Sequence, residues 1–318
     1  MERLGVLLVL VGFSAWGFDR RAEAAEVLEK LYSGAATPQA TATRLTFLGA
    51  QAFATEHLVD RWKRTTDAQR RSAMLEVLAE IATPLDEAES LLMRTVSDEE
   101  LGHRMASAEA LGRMKAKRAV STLEVTLRDK AWGARKTAAL ALAKIGVASS
   151  GKALMAAARV EDDPDTRAVM LVAVGQVGAA KEKADLEQLL KHSSESTRLA
   201  AARALCLLGA PKGIAFAREG LKSSDVFQRQ QAVRLFEGAS TKVAAPVLTP
   251  VLRDSNDAVR ATAARVLAQA GDASKVAWLV IESAHRTGEA RLPYETELET
   301  LRLTDEARQS ILRRAGLK

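Results

Sequence analysis

The stretch Arg135-Lys-Thr-Ala-Ala-Leu-Ala-Leu-Ala-Lys-Ile-Gly146 sets out a plan that the chain repeats. An arginine opens it, apolar residues follow at offsets four and seven, and a glycine closes it at offset eleven. Arginines recur in the same setting at Arg71, Arg104, Arg135, Arg167, Arg198, Arg229 and Arg260, spaced by 33, 31, 32, 31, 31 and 31 residues. Offset four holds Leu75, Ala108, Ala139, Leu171, Ala202, Val233 and Ala264; offset seven holds Leu78, Leu111, Leu142, Val174, Leu205, Phe236 and Leu267. All fourteen are apolar, and offsets of four and seven share one helical face, so each arginine starts an amphipathic helix that buries the same stripe. Gly146, Gly178, Gly209 and Gly271 stand where a left-handed residue ends a helix.

About 31 residues between arginines leave room for two helices and two turns. In one unit a helix around Thr197 to Leu208 breaks at Gly209-Ala-Pro-Lys-Gly213, and a second runs from about Ile214 to Leu221. Neither helix hides its apolar face alone; stacked pairs make a continuous core, with the second helices expected on the concave side. Composition agrees: hydrophobic residues are 47% of the 318, yet aromatics are only 4%, which favours helices packed through small side chains. The excess of Lys and Arg over Asp and Glu is 46 − 40 = 6, and both signs are interspersed, so the charge describes a solvated surface better than a nucleic-acid groove. The lone cysteine, Cys206, permits no intrachain disulfide and reads as a small core residue.

With these units in view, the chain resembles the HEAT-repeat family, in the short HEAT-like form also found in phycobilisome lyases. The resemblance rests on Leu127-Arg-Asp129 before Arg135 and on Leu252-Arg-Asp254 before Val259-Arg260. Asp98, Asp129 and Asp254 stand six residues before their arginines and Glu161 substitutes in another unit, whereas His192 and Ser223 depart from the pattern. What the resemblance implies is an all-α, right-handed α-solenoid, an armadillo-like superhelix of about seven to eight helix pairs, in a family made mostly of interaction scaffolds. Ankyrin and tetratricopeptide signatures are absent. The expected division is residues 1–24 as signal peptide or apolar segment, 25–66 as a helical cap with a degenerate repeat, 67–287 as the array, and 288–318 as a C-terminal cap.

The segment Leu4 to Phe18 carries no charge and is too short for a comfortable membrane span, which needs about 20 residues. Its length suits a secretory signal, with Ala22-Glu23-Ala24 as the small-x-small site and Ala15-Trp16-Gly17 as a second candidate. An exported protein without a transmembrane span in its mature chain is the expectation.

Two basic rows stand out. Arg64, Arg94, Arg128, Arg159, Lys191, Lys222, Arg253 and Arg286 close second helices, where a cation complements the helix dipole. Lys152, Lys181, Lys212, Lys242 and Lys275 mark the breaks between paired helices, as solvated turns or as contacts for an anionic partner. Trp132, three residues before Arg135, is the best single candidate for a contact with a partner. His57, His103, His192 and His285 lie in different units without metal-site spacing, and no nucleophile elbow, phosphate loop or dinucleotide fingerprint is present. The expectation is a non-enzymatic scaffold that binds another protein and takes no cofactor or metal. The alternatives are an intracellular nucleic-acid-binding solenoid, as in HEAT-like DNA glycosylases, and an accessory resembling phycobilin lyases.

Overall fold

A computed structural model describes residues 20–317, in which all regular structure is helical. The chain divides into two compact units, residues 1–147 and 148–318. The first holds α1 (20–32), α2 (Pro38–Leu48), α3 (Gln51–Arg64), α4 (Ala68–Ile81), α5 (Asp86–Thr95), α6 (Leu101–Arg113), α7 (Val120–Thr126) and α8 (Trp132–Ile145). The second holds α9 (Gly151–Val160), α10 (Pro164–Gln176), α11 (Lys183–Leu189), α12 (Glu195–Leu207), α13 (Pro211–Gly220), α14 (Val226–Arg234), α15 (Thr241–Leu248), α16 (Asp257–Gln269), α17 (Ser274–Ala284), α18 (Leu292–Thr300) and α19 (Asp305–Arg314). Together these make an all-α repeat solenoid.

The phasing arginines fall on α4, α6, α8, α10, α12, α14 and α16, the first helices of their pairs. All fourteen apolar positions that follow them are at most 1% exposed, so the 31-residue pattern is the core pattern. First helices pack on one another at α4–α6, α6–α8, α10–α12 and α14–α16, and most second helices pack onto the first helix that follows them, as α5 does on α6, α7 on α8 and α9 on α10. The closeness has a specific cause. A Cβ at Gly112 would lie 2.7 Å from the Ala141 Cα, and one at Gly175 would lie 2.6 Å from the Ala204 Cα, so α6 meets α8 and α10 meets α12 backbone to backbone. A mid-helix glycine costs about 0.5–1 kcal/mol relative to alanine, and here that cost is offset by contact no side chain would allow. The closest helix contacts of this kind in each unit are therefore between first helices.

Helix ends follow local chemistry. Gly146, Gly178, Gly209 and Gly271 all have positive φ, between 62° and 112°, and close their helices as the sequence indicates. At the same offset after Arg71 and Arg104, Ala82 and Lys115 adopt φ of 44° and 53°, a conformation that costs a residue with a Cβ about 1–2 kcal/mol. Asp163, Ser194, Asp225 and Asn256 cap α10, α12, α14 and α16 by accepting backbone N–H groups.

The C-terminal helices seal the second unit with polar contacts. Tyr294 is fully buried; its hydroxyl donates to Asp257 at 2.7 Å and accepts from Arg260 Nε at 3.2 Å, while Arg286 lies 4.5 Å from the ring centroid. Arg265 joins Glu237 at 2.6 Å and also bonds Glu297, to which Thr262 donates at 2.6 Å. Glu295 is held at a pKa of about 2, chiefly by the hydrogen bond from Arg308, against a smaller opposing effect of burial.

Candidate interaction surfaces

The phasing arginines are spent on the fold. Each of the seven donates to the backbone carbonyl six residues earlier: Arg71 to Thr65, Arg104 to Asp98, Arg135 to Asp129, Arg167 to Glu161, Arg198 to His192, Arg229 to Ser223 and Arg260 to Asp254, at 2.6–3.1 Å. The side chain at that earlier position accepts the N–H two residues on, at 2.8–3.1 Å, in all six turns from Asp98 to Asp254. His192 does so through Nδ1 and Ser223 through Oγ, so the two departures from the acidic pattern keep its function in the turn. What they lose is the bridge between repeats: Arg104 reaches Asp129 at 2.8 Å and Arg229 reaches Asp254 at 2.9 Å, whereas His192 and Ser223 offer Arg167 and Arg198 no carboxylate. Burial raises the Asp254 pKa, but hydrogen bonds from Arg229 and the Asn256 N–H outweigh it and leave the carboxyl below its usual value.

The break-edge lysines fall in the second unit. Lys152, Lys181, Lys212 and Lys242 are exposed or partly so and Lys275 is half-buried. Lys212 pairs with Glu187 at 2.5 Å and Lys275 with Asp272 at 3.3 Å; Lys152, Lys181 and Lys242 make no ion pair among the described residues. All five sit in or just before the first turn of a second helix, where a cation faces the positive end of the dipole, so helix electrostatics does not account for them. In the other row, Arg159 pairs with Asp185, Lys222 with Glu219, and Arg286 with Asp257 and Glu282.

The tryptophans at 62, 132 and 278 separate cleanly. Trp62 is buried, with Arg71 4.8 Å from its ring centroid and His103 edge-on at 5.4 Å. Trp278 packs against Tyr294. Trp132, the first residue of α8, is 56% exposed, with Lys136 Nζ 5.8 Å from its ring centroid. The same face of α8 continues through Leu140, 42% exposed, to the exposed Lys144. Trp132, Lys136, Leu140 and Lys144 are thus one stripe at four-residue spacing. Leu140 escapes notice in the sequence because it lies in an alanine-leucine run that reads as core throughout.

Other chemistry-bearing groups are accounted for by packing. His103 is buried between the Asp98 carboxylate at 3.1 Å and the Ala68 carbonyl at 3.2 Å. Cys206 is fully buried, which pushes its thiol up to about 12. No group of three or more His, Cys, Asp or Glu is placed to hold a metal among the described residues. No helix among them is long and apolar enough to cross a membrane. Ala22-Glu23-Ala24 lies within α1, where Ala24 is buried and Glu23 pairs with Arg44; residues 4–18 and the Ala15-Trp16-Gly17 site lie outside the described residues.

The sequence profile for HEAT repeats matches residues 55–143 and 151–235. No curated protein matches the chain in sequence. Among solved structures, the complex of CpcE and CpcF of phycocyanin lyase from Nostoc sp. PCC7120 aligns with a TM-score of 0.53 at 18% identity, covering 78% of this chain and 94% of that chain. An engineered protein gives 0.41 at 19% identity, covering 83% and 81%, and human deoxyhypusine hydroxylase in complex with glycerol gives 0.35 at 20%, covering 78% and 97%. The first shares the fold; the other two, at these scores, say nothing about activity.

Proposed function

Because this chain belongs to the HEAT-repeat family, we propose that it is a non-enzymatic scaffold that binds another protein through its helix faces and acts outside the cytoplasm. The observation that carries this reading is the contrast between spent and unspent side chains. The repeating arginines and turn acids are consumed in holding the stack, while large apolar residues such as Trp132, Val125, Val160 and Phe227 stand 56–79% exposed on its helices. Single exposed apolar residues are ordinary on a protein surface, but Trp132 and Leu140 share one face of α8, and a protein interface draws on such a face. Export is supported by the uncharged residues 4–18, which contain the small-x-small site Ala15-Trp16-Gly17 and are followed by another, Ala22-Glu23-Ala24.

The test is made on the protein in its native host, by cross-linking in intact cells after fractionation and then measuring the intact mass of the chain and of its complexes. A discrete heteromeric complex outside the cytoplasm, with the first 17 or 24 residues removed, supports both parts. Removal after Ala24 would cut away residues 20–24 of α1, among them the buried Ala24. A full-length, monomeric cytosolic chain would overturn the reading. Visible absorbance of the purified protein would favour the lyase-like accessory instead.

A further inference from the structure

We propose that the solvent face of α8, with α6 beside it, docks a helical segment of a partner protein that presents apolar side chains and carboxylates four residues apart. The proposal rests on the scaffold reading and names the chemistry of its partner. Trp132, Lys136, Leu140 and Lys144 line one face of α8 over about 18 Å, alternating apolar and cationic groups every 6 Å or so. The neighbouring helix adds the partly exposed Leu101 and Met105; a Cβ at Gly133 would lie 3.1 Å from the Met105 Sδ, which places that thioether against the start of α8. Tryptophan is the residue type most enriched among interface anchors, and a flanking cation supplies selectivity for a carboxylate.

Charge selects the occupant. Residues 101–147 contain ten Lys and Arg but three Asp and Glu, an excess of seven, whereas residues 51–100 contain six and eleven. Two of the three acids are already taken, Asp129 by Arg104 and Glu109 by Arg113. Lys136 and Lys144 have no ion-pair partner among the described residues. The corresponding stripe of α10 is Pro164, Ala168, Val172 and Gln176, without charge, and that of α12 has its one cation, Arg203, directed to Glu237. Only α8, among these three helices, combines exposed large apolar groups with unpaired cations. A partner helix repeats its i, i+4 side chains every 6 Å or so and stays in register along the stripe, while an extended chain, advancing about 6.8 Å per two residues, drifts by about 2 Å over three steps. Hence the helical segment.

The test uses the full chain and two Ala-rich helical peptides of about 20 residues, one bearing Leu and Glu alternately at every fourth position, the other Leu and Lys. Fluorescence anisotropy should show saturable binding of the Glu peptide and a preference for it over the Lys peptide. Trp132→Ala should weaken binding at least tenfold or so, and the double variant Lys136→Glu/Lys144→Glu should reverse the preference, a rescue that unfolding would not produce. Absence of saturable binding, equal affinity for the two peptides, or unchanged preference in the charge-reversed variant would each overturn the proposal. Displacement of the peptide by a DNA or RNA oligonucleotide with steep salt dependence would reassign the stripe to phosphate recognition and also overturn it. A heteromeric complex in the host that survives the loss of peptide binding would leave the scaffold reading intact and sink the stripe alone.

Discussion

The turn before Arg229 and the turn before Arg198 are built alike, but only Arg229 continues across to a carboxylate in the next repeat, Asp254. Both arginines hold the carbonyl six residues back, and both turns are closed by the side chain at that position. The constant of the repeat is thus an arginine bound to its own turn. The bridge between repeats is an addition that some joints have and others lack.

The largest expected effect concerns what the two joints share. Leu205→Ala and Leu142→Ala remove fully buried side chains of the offset-seven stripe and should each cost about 2–5 kcal/mol in denaturant unfolding, through lost burial and the cavity left behind. Next comes the difference itself. Arg229→Ala strands the partly buried Asp254 and should cost roughly 2–3 kcal/mol, against about 1 kcal/mol for Arg198→Ala, which loses only bonds to carbonyls. Equal losses would mean the bridge between repeats contributes nothing.

Acid should erase that difference. The Asp254 carboxyl lies below its usual value in the folded chain, so the stability it contributes is fully present above its unfolded value near 3.8 and is lost as pH falls through the folded value. The gap between Arg229→Ala and the native chain should therefore narrow below about pH 4 while that of Arg198→Ala stays level, as urea titrations at successive pH values would show. Glu295, held at about 2 by Arg308, adds a parallel loss between pH 4.5 and about 2, which Glu295→Gln should remove. A smaller gain should come from Ser223→Asp. It keeps an acceptor for the Asp225 N–H and offers Arg198 a carboxylate, for about 0.2–1 kcal/mol. Smallest of all is Lys152→Ala, expected within about 0.5 kcal/mol of the native chain.

The two joints also show what a sequence can carry. The fourteen core positions are legible because burial repeats with the period of the helix and the unit. The arginine's main partner is not, since a carbonyl oxygen has no letter of its own, and Asp, Glu, His and Ser at one position look like a decaying pattern although all four accept the same kind of N–H. Trp132 is legible as an aromatic at a turn. Leu140 is hidden because whether a leucine in Ala-Ala-Leu-Ala-Leu-Ala faces in or out depends on where the neighbouring helix crosses, and Gly112 against Ala141 sets that crossing.

That glycine contact has a metrical consequence. Where two helices meet through Gly and Ala alone, nothing compressible lies between them, and their axes settle near the short end of the usual 8–10 Å. Gly112 and Gly175 therefore act as gauge blocks, giving the outward residues of α6 and α8, and of α10 and α12, a fixed spacing. Any ligand that touches two such helices at once must be commensurate with that spacing, so part of its selectivity is decided by residues it never meets.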